Sequence, residues 1–129
     1  MIKKRILLVD DEEGFTRLLK MNLEKTGKFD VMIENRSTKA ALAAKLFHPD
    51  LILLDIVMPD MDGGDVASMI QSEPGLSQIP IVMLTALVEQ DETSSGAVAQ
   101  AGTLDVLAKP INMDVMMRCL EEKLGMSSG

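Results

Sequence analysis

The 129-residue chain predicts an α/β fold, a doubly wound parallel sheet with helices on both faces. Three observations carry this expectation. Short aliphatic runs alternate about five times with segments of helical spacing, the pattern of successive βαβ units. The runs are continuously apolar, as strands covered on both faces are, and do not alternate as half-exposed strands do. Polar residues recur directly after the runs, and in such sheets ligands bind beyond the carboxyl ends of the strands.

The elements follow in order. Ile6-Leu7-Leu8-Val9 is the first strand. Phe15, Leu18, Leu19 and Leu23 recur at helical spacing behind it, and Gly27 ends that helix. Residues 29–33 read as a second strand. Ser37 stands as a cap before a helix carrying Ala40, Ala41, Leu42, Ala44 and Leu46. Leu51-Ile52-Leu53-Leu54 is the most hydrophobic strand candidate. Residues 58–64 hold Pro and Gly and form a loop in which Gly63-Gly64 permits a tight turn. A short helix covers about residues 66–71 and a strand 79–84. A fourth helix is expected over 89–101, although Thr93, Ser94, Ser95 and Gly96 favour helix poorly. Residues 104–107 form the last strand and Pro110 stops it. Asn112 caps a final helix whose inner face carries Val115, Met116, Cys119, Leu120 and Leu124. Residues 1–125 form one domain and 126–129 a tail.

Composition narrows the function classes. Hydrophobic residues make up 47%, charged residues 26% and aromatics 2%, so the chain is globular with an aliphatic, methionine-supplemented core. The formal charge of −7 repels phosphate backbones, which argues against direct nucleic-acid binding by this chain. The basic start is followed by an apolar run that Asp10, Asp11, Glu12 and Glu13 cut off, so no signal peptide forms. No apolar run approaches the roughly 20 residues of a membrane span. A single cysteine, Cys119, fits a reducing, cytoplasmic setting and reads as a small buried hydrophobe.

Five polar residues stand at the expected strand ends: Asp10 and Asp11 after the first, Asp55 after the third, Thr85 after the fourth, Lys109 after the fifth. A parallel sheet brings them to one edge. Two carboxylates 4 Å apart repel by ~4 kcal/mol at an effective dielectric near 20, so three invite a cation. Hard oxygen donors suit Mg²⁺, which also bridges to phosphate. Lys109 supplies positive charge, Thr85 a hydrogen bond to an anion, and one carboxylate a nucleophile able to form an acyl phosphate. Taken singly, an aspartate at a strand end is as readily a turn former or a cap. Asp50, Asp60, Asp62 and Asp105 are assigned such roles, and His48 reads as a partly exposed loop residue.

These residues, in Ile6-Leu7-Leu8-Val9-Asp10-Asp11, Leu51-Ile52-Leu53-Leu54-Asp55-Ile56-Val57-Met58-Pro59, Met61-Asp62-Gly63, Met83-Leu84-Thr85-Ala86 and Ala108-Lys109-Pro110, resemble the receiver domains of bacterial two-component response regulators. The resemblance covers about residues 4–124. It implies a flavodoxin-like (βα)5 fold with strand order 2-1-3-4-5. It implies Asp55 as phosphoacceptor and Mg²⁺ held by Asp11, Asp55 and the Val57 backbone carbonyl, with Asp10 acting through water. Thr85 and Lys109 would engage the phosphoryl oxygens. The implied partners are a sensor histidine kinase or phosphotransfer protein as donor and a downstream effector, with hydrolysis of the aspartyl phosphate ending the signal. No membrane partner is implied.

Two departures bear on output. Val106 stands where the family often carries Tyr or Phe, and the segment between Thr85 and Gly102 is longer than usual and rich in small polar residues. Two rivals share the acidic motif. A phosphohydrolase with an aspartyl-phosphate intermediate would need a second Asp where Val57 stands. A docking-only pseudo-receiver would lack one of the acids or the lysine.

Overall fold

The computed structural model describes residues 2–86 and 104–126, and the backbone of 99–101. In chain order the elements are β1 (Lys4–Val9), α1 (Glu13–Lys25), β2 (Phe29–Glu34), a 3₁₀ turn (Ser37–Lys39) leading into α2 (Ala40–Phe47), β3 (Leu51–Asp55), α3 (Gly63–Ser72), β4 (Ile81–Thr85), β5 (Ala99–Ala101), β6 (Leu104–Ala108) and α4 (Met113–Lys123). One sheet runs β2-β1-β3-β4-β6-β5. Its first five strands are parallel, the order 2-1-3-4-5 expected with β6 as the fifth parallel strand. β5 adds an antiparallel sixth strand, with Ala101 opposite Leu104.

The two faces of the sheet follow from alternation along each strand. Ile6, Leu8, Leu51, Leu53, Val82, Leu84 and Leu107 point to one side and pack with Leu19 and Leu23 of α1 and Met116, Cys119 and Leu120 of α4. Leu7, Val9, Ile52, Leu54, Ile81, Met83 and Val106 point to the other, against Ala40, Ala43 and Ala44 of α2 and Val66 and Ile70 of α3. Every residue of β3 and β4 is buried. Each fully covered leucine or isoleucine contributes roughly 1.5–3 kcal/mol of transfer free energy, which is why unbroken aliphatic runs form the central strands.

Several expectations are corrected in detail. Residues 99–101 are strand rather than the end of a helix, and the rest of the expected helix over 89–101 lies outside the described residues. Leu18 faces outward at 55% exposed, because the inner stripe of α1 is Thr16, Leu19 and Leu23, spaced three and four residues apart. Ser37 caps no helix; its hydroxyl donates across to the Pro59 carbonyl at 2.9 Å. Asp105 lies within β6 and pairs with Lys123 at 2.8 Å rather than shaping a turn. α3 begins at Gly63, so the glycine pair opens a helix instead of a loop, and Asp62 caps it by accepting from the Asp65 amide at 2.9 Å. Asn112 caps α4 in the same way, accepting from the Val115 amide. Cys119 is buried as expected, and burial pushes its thiol up to about 11.

Candidate functional site

The parallel registers pair Val9 with Leu54, Asp55 with Leu84, and Thr85 with Ala108. The residues that follow β1 and β6 therefore meet the ends of β3 and β4 at one edge. Asp10 leaves β1 with its amide still bonded to the Glu34 carbonyl at 3.2 Å. Its side chain folds back, Oδ1 accepting from the Glu12 amide at 2.9 Å, which turns the chain into α1. Asp55 closes β3. The next amide, Ile56, continues the ladder to the Leu84 carbonyl, and the Gly63 amide returns to the Ile56 carbonyl at 2.7 Å. That return needs a glycine: a Cβ on Gly63 would lie 2.4 Å from the Asp55 carbonyl oxygen and 2.7 Å from Ile56 Cα.

Asp10 is fully buried and Asp55 nearly so, while Asp11 is exposed. One carboxylate oxygen from each lies within 4.8 Å of the others. Lys109 reaches into this group, its Nζ 2.6 Å from Asp10 Oδ2, 2.8 Å from Glu12 Oε1 and 3.6 Å from Asp55 Oδ2. Asp10 Oδ2 is buried, and the Lys109 ammonium is its partner. The ammonium also rests 4.4 Å from the centre of the Phe15 ring, a cation–π contact. An open cleft of about 310 Å³ lies above, lined by Asp11, Glu12, Asp55, Val57, Ala86 and Lys109. Thr85 does not line the cleft; it is buried at the end of β4, next to Ala86, and its carbonyl accepts from the Lys109 amide at 2.9 Å.

The electrostatics carry the strain of three acids in one place. Burial, followed by the charge of Asp10, raises Asp55 to about 6 despite Lys109. Burial raises Asp10 as well, with Lys109 opposing it. Burial alone would lower Lys109, but its contacts with Asp10 and Glu12 outweigh that and its pKa is raised. Three hard carboxylates within reach of one point, with a single ammonium among them, fit a divalent cation such as Mg²⁺.

Asp10, Asp11, Asp55 and Lys109 converge, and Val57 lines the cleft with Asp11, Asp55 and Lys109, while Thr85 is buried at the end of β4 and outside the lining. Three participants were not legible as such. Glu12 was visible only as part of an acidic run, Phe15 only as a core residue. Asn35, whose Nδ2 donates to the Asp10 carbonyl at 2.7 Å, carried no signal because the contact spans 25 positions.

Comparison with known proteins agrees with this geometry. Residues 6–121 match the response regulator receiver domain. The alkaline phosphatase synthesis transcriptional regulatory protein PhoP of Bacillus subtilis is 36% identical over 111 residues, covering 86% of this chain and 44% of PhoP. The DNA-binding response regulator MtrA of Mycobacterium tuberculosis is 35% identical over 109 residues, covering 84% of this chain and 45% of MtrA. The chain thus spans under half the length of these curated relatives. Among solved structures, the receiver domain of the sensor histidine kinase PA1611 of Pseudomonas aeruginosa superimposes with a TM-score of 0.79 at 28% identity, covering 96% of this chain and 99% of that one. That structure holds a magnesium ion coordinated in the active site cleft. The signal receiver domain of a signal transduction histidine kinase from Syntrophus aciditrophicus gives a TM-score of 0.78 at 29% identity, covering 95% and 90%. No helix among the described residues is long and apolar enough to cross a membrane. With the family match running from within β1 to within α4, the chain belongs to the receiver domains of two-component response regulators.

Proposed function

We propose that Asp55 accepts a phosphoryl group from a phosphohistidine on a sensor histidine kinase or phosphotransfer protein, and that the resulting change of conformation is read by a downstream effector. The observation that carries this is the place of the Asp55 carboxylate: nearly buried at the end of β3, lining the open cleft, with the Lys109 ammonium 3.6 Å away. The Asp55 carboxylate attacks phosphorus in line, the phosphorus–nitrogen bond of the donor breaks, and the departing imidazole takes up a proton. Lys109 and the Thr85 hydroxyl engage the phosphoryl oxygens that Asp55 gains. Asp11, Asp55 and the Val57 carbonyl would hold Mg²⁺, with Asp10 assisting from behind. A cation bound there would supply neutralisation of the charge on the transferring group. Water later hydrolyses the acyl phosphate, releasing inorganic phosphate and restoring the carboxylate. The −7 charge and the acidic cleft leave any contact with DNA to a part of a longer protein or to a separate effector.

The reading is tested with acetyl phosphate as donor. Intact-mass measurement is expected to show one added phosphoryl group in the presence of Mg²⁺ and none with chelator. Asp55→Asn is expected to remain unlabelled; equal labelling of that variant removes the assignment.

A further inference from the structure

Asn35 follows the last residue of β2 and therefore lies beside Asp10, since Glu34 pairs with Val9. Its Nδ2 donates twice, to the Asp10 carbonyl at 2.7 Å and to Thr16 Oγ1 at 3.1 Å. Thr16 is fully buried in α1, and its hydroxyl proton goes to the Glu13 carbonyl at 3.0 Å, so its oxygen is free to accept. Both amide protons of Asn35 are thereby used, and each acceptor fixes a different side of the turn between β1 and α1. An aspartate or an aliphatic residue at position 35 supplies neither proton.

The Asp10 carbonyl belongs to the peptide that joins the two adjacent acids of the cluster. A peptide unit is a rigid plane. Holding its oxygen on Asn35 therefore sets the direction in which Asp11 leaves the turn toward the cleft, while the Asp10 carboxylate stays tied to the Glu12 amide. The tie to Thr16 adds the first turn of α1 to the same anchor. Nothing else among the described residues links the end of β2 to this peptide through a side chain.

We propose that Asn35 is a positioning residue of the cation site: it touches neither cation nor phosphoryl group, and it raises Mg²⁺ affinity by orienting the Asp10–Asp11 peptide. This rests on the reading of the cluster as a Mg²⁺ site. Groups that orient metal ligands from behind typically change metal affinity by 10–100-fold when removed. Asn35→Ala is therefore expected to raise the Mg²⁺ midpoint about tenfold, in a titration of the full chain with MgCl₂ followed by backbone amide NMR shifts around Asp11 and Ala86. Thr26→Ala serves as the control, because the Thr26 hydroxyl donates to the Leu23 carbonyl at the far end of α1. It is expected to lower the melting temperature without moving the midpoint, which a merely structural role for Asn35 would imitate. Asn35→Ser, too short to span both acceptors, is expected to shift the midpoint in the same direction and takes the place of the alanine variant should that one not fold. An unchanged midpoint in the folded Asn35 variant overturns the role of Asn35 alone. A parent protein whose amides do not respond to Mg²⁺ overturns the cation site itself, and this inference with it.

Discussion

Lys109 faces three carboxylates, and only one of them, Glu12, stands outside the proposed cation and phosphoryl ligands. The Glu12 side chain is 62% exposed at the mouth of the cleft, so its ion pair with Lys109 contributes at most about 1 kcal/mol to stability. Its charge nevertheless meets an incoming anion and holds the ammonium that the anion needs. Glu12→Gln is expected to leave the urea midpoint nearly unchanged and to speed labelling by acetyl phosphate through a lower KM. A concentration series of the donor, repeated at high salt, checks this. The gain should shrink as salt screens the exposed carboxylate.

At the scale of elements, the junction between β3 and α3 leaves no room for a side chain at Gly63. Gly63 opens α3 directly against the Asp55 backbone, and the atoms a Cβ would meet are main chain that cannot rotate away. Gly63→Ala is expected to cost about 1–3 kcal/mol or more from overpacking and to slow labelling, because relief requires moving the backbone that carries Asp55. Gly14, near the start of α1, has open space where its Cβ would lie. Gly14→Ala is expected to be neutral or mildly stabilising, since alanine favours helix. Urea denaturation and acetyl phosphate labelling of both variants separate the steric effect from the loss of a glycine as such. On the other side of the sheet, Val106 is buried with Met83 in the cluster under α2 and α3. Its small, stiff side chain leaves no aromatic ring there to turn inward.

For the whole molecule, the acidic edge makes stability depend on pH. Asp55 titrates near 6 in the folded protein against 3.8 ordinarily, so the native state keeps a proton that the unfolded chain has released. Stability therefore falls as pH rises from about 4 to 6, and the penalty, on the order of 3 kcal/mol, is complete above that. Asp10 is raised too and acts in the same direction. Lys109 is raised from 10.5, so its stabilising share is lost only in alkali and leaves this window alone. In Mg²⁺-free buffer the melting temperature is expected to decline across that range, and Asp55→Asn to flatten the decline and melt higher at pH 7. Mg²⁺ at pH 7 is expected to recover stability in the parent and less in the variant.

The sheet class, the order of the five parallel strands and the gathering of Asp10, Asp11 and Asp55 at one edge were legible from the sequence, whereas β5 was not. Continuous aliphatic runs leave few alternatives to buried parallel strands, and such strands deliver Asp10, Asp55 and Thr85 to a common edge whatever the loops do. The end of the last strand did the same for Lys109. What the linear pattern could not carry was anything decided by contacts between distant segments. Glu12 meets Lys109 across 97 positions and Asn35 meets Asp10 across 25, and neither pair has a local signature. Leu18 fits a helical stripe as well as Leu19 does, and only the packing of α1 on the sheet turns it outward. Residues 99–101 have no strong preference of their own, and pairing with β6 makes them a strand. Local propensity and periodicity selected the elements because those depend on neighbours in sequence. The environment that shifts Asp55 toward neutrality and the anchor behind Asp10 exist only once the strands lie side by side, because burial and charge proximity are properties of the folded edge.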